Sequence, residues 1–383
     1  MTRLSGLACG RCASPHEANE LQTVCRTCGG PLLAQYGLVA PGLPTLAEVR
    51  LRPPGEFRFH ELMPTLAGAE TPSLGEGATP LLPGEGLAAD LGLPRLFVKD
   101  EAQNPTGSFK ARGMAAAAAR ARELGARTIC LPSAGNAGGA AAAYGALHGL
   151  EVRVAIPANT PAAIEAECRA LGAVVERVPG NIADAGRWIA ARAEEHGWFN
   201  VATLREPYRI EGKKVMGYEL VYDLGRVPDV VLYPTGGGTG LIGMAKACEE
   251  MQALGWIGAE RPRFVSVQTT GCAPVVRAFE AGAETAAAWA DPAETRAYGL
   301  RVPGALGDFL MLRTLRETGG NAVAVSEAEL AAGSERMARH MGLWPCPEGG
   351  ACVAAADRLR RSGWLKGDEL LVLFNTGSPF KYF

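Results

Sequence analysis

The sequence predicts an α/β fold with mainly parallel, twisted sheets, preceded by a small N-terminal module. Three observations point there. From about residue 70 onward, short β-type runs alternate with Ala-rich helical runs. Most of the β-type runs are near-continuous in apolar residues, as strands covered on both faces are. The passages from strand into helix are built from Gly, Ser, Thr, Asn and Pro, and ligands gather at such junctions in open α/β sheets.

Residues 1–37 stand apart. They carry Cys9-Gly-Arg-Cys12 and Cys25-Arg-Thr-Cys28, with twelve residues between the pairs. Two CxxC knuckles supply four thiolates, a closed tetrahedral set for a structural Zn²⁺. The metal would provide folding energy that so short a piece cannot draw from a core. The alternative is a reduced, metal-free module. Gly10 and Gly29-Gly30 suit the turns, and His16 in the spacer reads as an exposed loop residue. The Pro-rich stretch from Pro41 to Pro53 and Pro54 reads as linker.

Strands are expected at Arg95–Asp100, Thr128–Pro132, Val152–Ile156, Val174–Val178, Asp229–Pro234, Phe264–Val267 and Glu369–Phe374. Helices are expected at Gly113–Leu124, Gly138–His148, Pro161–Leu171, Ile182–His196 and Leu241–Leu254. The 383 residues are 48% hydrophobic and 20% charged, with a net charge of −2. No basic stripe or polybasic segment points to nucleic acid or to a membrane surface. Every long apolar stretch is broken by Arg, Glu or turn residues, so no spanning helix is expected. Only eight residues precede Cys9, and they include Arg3 and Gly6 rather than a signal core. A reducing, cytoplasmic setting is therefore expected. There the six scattered cysteines, Cys130, Cys168, Cys248, Cys272, Cys346 and Cys352, pack as small apolar residues.

Four junctions carry the candidate chemistry. In the first, Lys99-Asp100-Glu101 leads through Asn104-Pro105-Thr106-Gly107-Ser108-Phe109 to Lys110, with Ser108 read as the helix N-cap. Lys110 then lies in the first helical turn, where the dipole disfavours a cation and lowers its pKa. A lone lysine there would usually be a solvated surface group; one that must be neutral part of the time fits better. In the second, Ser133-Ala134-Gly135-Asn136-Ala137 links a strand to a helix and offers the Asn136 amide. In the third, Pro234-Thr235-Gly236-Gly237-Gly238-Thr239-Gly240 lets backbone N–H groups converge on an anion at a helix start. It has neither dinucleotide nor P-loop spacing, so it suits a phosphate. In the fourth, Asn375-Thr376-Gly377-Ser378 offers two hydroxyls after the last strand.

In this order and spacing, the four junctions resemble those of the pyridoxal-phosphate enzymes of fold type II, the tryptophan synthase β family, over roughly residues 70 to 383. Within that family the resemblance is greatest to the threonine synthases. It is carried by Lys99-Asp100-Glu101, by Asn104 to Lys110, and by Arg209-Ile210-Glu211-Gly212-Lys213-Lys214. The resemblance implies a small lobe, 106–209, inserted between two parts of a larger cofactor-binding lobe, 38–105 and 210–383, and a homodimer. Pyridoxal 5′-phosphate would be carried by Lys110 as a Schiff base, with Asn136 on its phenolic oxygen. Gly236, Gly237, Gly238 and Thr239 would cradle its phosphate, and Thr376, or failing that Ser378, would face the ring nitrogen. Phe109 is either a stacking partner of the ring or plain core. The substrate carboxylate would sit on Ser133, Ala134 and Gly135. A substrate phosphate would meet Arg209 and Thr203, although Arg209 can also be read as pairing at the surface with Glu206 or Glu211.

The implied reaction is O-phosphohomoserine plus water to L-threonine plus phosphate. The chain departs from the family at Ala111, where Asp is common, and at Ala134 and Ala137, where hydroxyls are common. The Pro234–Gly240 loop is closer in style to serine/threonine dehydratases. A dehydratase is therefore the second reading, and a β-replacing amino-acid synthase the third. An inactive body whose ribbon recruits a partner would have no reason to keep Lys110, Asn136 and the glycine loop together.

Overall fold

The computed structural model describes residues 1–39 and 41–382. Ala40 and Phe383, both inside the segments assigned to the larger lobe, lie outside the described residues. In chain order the elements are β1 (Leu4–Cys9), β2 (Pro15–His16), β3 (Leu32–Tyr36), α1 (Leu46–Arg50), β4 (Leu81–Pro83), α2 (Glu85–Leu91), β5 (Leu96–Asp100), α3 (Lys110–Glu123), β6 (Thr128–Pro132) and α4 (Asn136–Leu147). Then come β7 (Glu151–Pro157), α5 (Ala162–Ala170), β8 (Val174–Val178), α6 (Ile182–His196), β9 (Phe199–Asn200), α7 (Arg209–Leu224), β10 (Val230–Pro234) and α8 (Thr239–Ala253). The chain closes with β11 (Arg263–Thr269), α9 (Pro274–Glu280), α10 (Asp308–Glu317), β12 (Asn321–Val325), α11 (Glu327–Met341), α12 (Pro347–Arg361) and β13 (Leu371–Asn375).

Two compact units emerge: Met1–Ala78 with Asn104–Val215, and Thr79–Gln103 with Met216–Phe383. The first holds a four-stranded parallel sheet in the order β8-β7-β6-β9. It also holds the N-terminal ribbon, where β1 pairs antiparallel with β2 and β3. The ribbon is part of this unit's core. Leu7, Cys9, Cys25, Leu32 and Ala34 pack with Ala117 of α3 and with Tyr208, and Arg120 donates to the carbonyl of Ala18 at 2.8 Å. The Pro-rich stretch read as linker contains α1, closed by a Thr45–Glu48 capping box.

The second unit holds a six-stranded sheet in the order β12-β11-β10-β13-β5-β4, parallel except for the β4–β5 pair. Its apolar core runs through Val98, Val230, Leu232, Val265, Leu371 and Leu373 into α2, α11 and α12. The phrase Lys99-Asp100-Glu101 pegs this unit together. Lys99 is fully buried and bonds the carbonyl of Thr79 at 2.7 Å and Glu219 at 2.9 Å. Asp100 accepts from Asn375 Nδ2 at 2.8 Å, and Glu101 accepts from Thr79 Oγ1 at 2.6 Å.

In the first unit, α3 meets the start of α7 at two glycines. A Cβ on Gly113 would stand 2.7 Å from the Arg209 carbonyl oxygen, and one on Gly212 would stand 2.0 Å from the Arg112 carbonyl oxygen. Both neighbours are backbone and cannot swing away. Gly186 in α6 differs, for its Cβ would meet only Pro132 Cγ at 3.9 Å. Gly212→Ala is expected to lower the unfolding free energy by at least about 2 kcal/mol through overpacking. Gly186→Ala is expected to raise it by about 0.5–1 kcal/mol, because only the glycine's entropic cost is removed. Urea denaturation of both variants checks the contrast.

Candidate active site

Lys110 is the first residue of α3 and is half-buried. Phe109 stands immediately before the helix without a side-chain cap bond of its own, and the buried Ser108 hydroxyl accepts from the Lys110 N–H at 3.4 Å, the capping contact the sequence suggested. Lys110 Nζ lies 3.8 Å from the centroid of the Phe109 ring. The loop before it contains Thr106 at φ 58°, a left-handed conformation costly for a β-branched residue. Leu204, in the loop before α7, is held at φ 59°.

Asn136 is the first residue of α4, two residues earlier than the sequence pattern placed the helix start. Gly135 is its N-cap and brings no side chain to the orphan N–H groups. Ser133 is buried; its hydroxyl donates to the Gly135 carbonyl at 2.8 Å and accepts from the Gly138 N–H at 3.0 Å. A Cβ on Gly135 would meet nothing within 4 Å. Open space thus adjoins a helix start where Ser133 meets the Gly138 N–H and the N-cap Gly135 brings no side chain, a fit for a carboxylate.

Arg209 opens α7 and is 1% exposed, which removes the surface-pair reading. Its backbone N–H donates to Glu206, and Nη1 donates to the Val201 carbonyl at 2.7 Å. Nε and Nη2 are buried with no hydrogen-bond partner among the described residues. Thr203, by contrast, is exposed. Burial pushes the Glu206 carboxyl up to about 7, against the pull of Arg209 and of the Tyr208 and Arg209 N–H groups. Two buried lysines that the sequence reading left without a role follow on α7. Lys214 pairs with Glu211 at 2.6 Å, both fully buried, and covers the Tyr36 ring at 3.9 Å. Lys213 is also fully buried. Their only signal in the sequence was a pair of lysines one turn after an arginine.

In the second unit, β10 and β13 are hydrogen-bonded parallel neighbours, so the loops after them leave adjacent positions on one sheet edge. The β10 loop gives Gly236, Gly237 and Gly238. Gly238 has φ 78° and caps α8 without a side-chain bond, and Thr239 is the first helical residue. This cradle of backbone N–H groups at a helix start fits a phosphate. Its glycines are also enforced by packing: a Cβ on Gly236 would stand 2.1 Å from the Gly299 carbonyl oxygen, and one on Gly238 would stand 2.1 Å from Met311 Sδ. After β13, Thr376 is buried, with Oγ1 3.7 Å from Cys346 Sγ. Burial and then the Glu348 carboxylate push the Cys346 thiol well above its ordinary range. Ser378 instead caps the next turn, accepting from the Phe380 N–H.

The four N-terminal cysteines converge, with all four Sγ atoms within 4.8 Å of one another. Cys9 and Cys28 are 3.4 Å apart, and Cys12 and Cys25 are 3.6 Å apart. Backbone N–H groups of Arg11 and Thr27 point at Cys9 and Cys25. Gly29 takes φ 70°, and a Cβ on Gly30 would stand 3.1 Å from Cys9 Sγ. The donor set fits Zn²⁺. His16 is not a loop residue: it lies on β2, half-buried, with Nε2 3.4 Å from Cys25 Sγ and Nδ1 3.1 Å from Gln22. That places it behind the cluster as a neighbour of a ligand. The other six cysteines are all buried thiols.

Residues 72–377 match the family described as pyridoxal-phosphate dependent enzyme. The threonine synthase of Methanosarcina acetivorans is 31% identical over 377 residues, covering 98% of this chain and 92% of that protein. The threonine synthase of Methanocaldococcus jannaschii is likewise 31% identical over 377 residues, covering 97% and 92%. The chain belongs to the threonine synthase family of pyridoxal-phosphate-dependent enzymes. Among solved structures it is similar to a threonine deaminase from T.th., with TM-score 0.65 and 27% identity over 78% of this chain and 92% of that one. Maize serine racemase shares the fold, with TM-score 0.68 and 22% identity over 78% and 87%. No helix among the described residues is long and apolar enough to cross a membrane.

Gly238→Ala combines a positive φ with a clash against Met311 and is expected to displace the β10 loop. Affinity for pyridoxal phosphate should fall at least about tenfold while the far-UV circular dichroism is kept. Fluorescence titration of the apoenzyme with the cofactor reads the change.

Proposed function

We propose that this chain converts O-phosphohomoserine and water to L-threonine and phosphate. The observation that carries the reading is Arg209, a buried guanidinium at a helix N-terminus with two nitrogens unpartnered among the described residues. Leaving such donors unmet costs stability, and a bound anion is the natural remedy. A guanidinium fork matches a phosphate through paired, charge-assisted hydrogen bonds.

Pyridoxal phosphate, when bound, supplies the electron sink that makes the protons on Cα and Cβ of the substrate removable. Lys110 is the residue assigned to carry it and, once released, to move those protons. Its place at the head of α3 favours the neutral amine that a base requires. Asn136 is assigned to the cofactor's phenolic oxygen, Gly236 to Thr239 to its phosphate, and Thr376 to its ring nitrogen. Phe109, against Lys110, is assigned to the wall beside the ring. The start of α4, with Ser133, Ala134 and Gly135, is assigned to the substrate α-carboxylate. The Cγ–O bond breaks and inorganic phosphate leaves toward Arg209; Cγ takes up a proton, water adds its OH at Cβ in place of the proton removed there, and Cα regains its proton. The Cys9, Cys12, Cys25 and Cys28 set is assigned one structural zinc. A cytoplasmic homodimer completes the reading.

Product analysis with O-phosphohomoserine, L-threonine and L-serine tests it. Threonine and phosphate in equal amounts are expected from the first substrate. Arg209→Lys should lower kcat/KM at least about 100-fold with bound-cofactor absorbance unchanged, since a point charge cannot replace the fork. Keto acid from threonine or serine, with O-phosphohomoserine untouched, would overturn the reading in favour of a dehydratase. The alanines at 134 and 137 are the residues that fit that outcome.

For the module, about one zinc per chain is expected by metal analysis. Cys12→Ser with Cys28→Ser should release it and lower the melting temperature. Metal-free protein that melts identically with and without chelator would leave a reduced thiol cluster instead.

A further inference from the structure

Arg209 has a cationic neighbour on its own helix face. Lys213 lies one turn along α7, at i+4 from Arg209, and is fully buried. Its ammonium is 5.2 Å from the centroid of the same Phe109 ring that Lys110 approaches at 3.8 Å. A Cβ on Gly113 would stand 2.9 Å from Lys213 Cε, so the first turn of α3 holds the lysine stem in place. Lys213 lies among Arg209 and Lys110 as cations and Glu206 and Glu56 as carboxylates.

We infer that Lys213 is a second cation of the Arg209 site, joining the guanidinium on a doubly negative tetrahedral group. It thereby sets the preference for a phosphate ester over a substrate with a singly charged or neutral leaving group. The identity of the ester rests on the synthase reading; the anion site does not. Burial, and after it Arg209 and Lys110, hold the Lys213 amine well below its ordinary range, against the pull of Glu206 and Glu56. Two negative charges beside it would favour its protonated form, so anion binding is coupled to proton uptake and affinity falls as pH rises.

The probe is inorganic sulfate on the cofactor-loaded enzyme, because sulfate stays doubly negative and does not itself titrate. Calorimetry at pH 8 in two buffers of different ionisation heat counts protons. The wild type is expected to take up about one proton per sulfate bound. Lys213→Gln should bind sulfate about 10- to 100-fold more weakly and take up no proton. Lys213→Arg should keep most of the affinity, also without uptake, because it is always charged. Glu206 and Glu56 are neighbouring groups able to take a proton, and uptake that persists in Lys213→Gln would assign it to them and overturn the inference. Equal sulfate affinity in the wild type and Lys213→Gln would overturn it too. Should the glutamine variant not fold, the wild-type count and Lys213→Arg still decide: no uptake in the first, or unchanged uptake in the second, refutes the role. None of this needs turnover. Sulfate binding that depends on Lys213, without threonine from O-phosphohomoserine, overturns only the synthase reading. Threonine formation with sulfate binding indifferent to Lys213 overturns only this inference.

Discussion

Helices α3 and α7 lie in backbone contact because Gly113 and Gly212 carry no Cβ. Each glycine is the third residue after the first residue of its helix, Lys110 in one case and Arg209 in the other. The contact therefore brings two helix N-termini together, each headed by a cation. Left to electrostatics alone, two positive helix ends and two cationic side chains would separate. Rigid packing holds them, and the resulting positive field favours an anion beside the Glu206 and Glu56 carboxylates.

The same short segment separates structural charge from functional charge. Lys214 and Glu211 form a closed, fully buried pair, and Lys99 is likewise spent on Thr79, Glu219 and Asp223. Such pairs are weak evidence of stability but strong evidence of a fixed geometry. Arg209 differs in having buried nitrogens that the described residues leave unmet. Burial, which merely costs energy elsewhere, here raises the strength of whatever hydrogen bond a ligand brings.

The ribbon shows how a module with almost no core of its own becomes part of a domain. Its two buried cysteines and three apolar residues share a cluster with α3 and Tyr208. Lys214 covers Tyr36, so the helix that presents Arg209 also touches the ribbon. Zinc at the four thiols would then stiffen a surface against which α3 and α7 are seated.

The sequence by itself determined the parallel α/β order, because strands covered on both faces read as short, near-continuous apolar runs bounded by turn residues and alternating with longer helical runs. Thr128–Pro132 and Val174–Val178 appear with the expected ends, and Ile182–His196 does so between its Asn181 cap and Gly197. The junctions were legible for the same local reason: turns need particular residues. Weakly patterned elements were not, among them the two-residue β9, the edge strand β12 and the whole of α7, which is absent from the expected helices. Only the tertiary structure decided that Arg209, Glu211, Lys213 and Lys214 of α7 are buried and that His16 backs the thiol cluster. Burial is a sum over neighbours distant in sequence, and no local pattern contains it. A lysine on a glycine-packed helix and a lysine in water have the same letter.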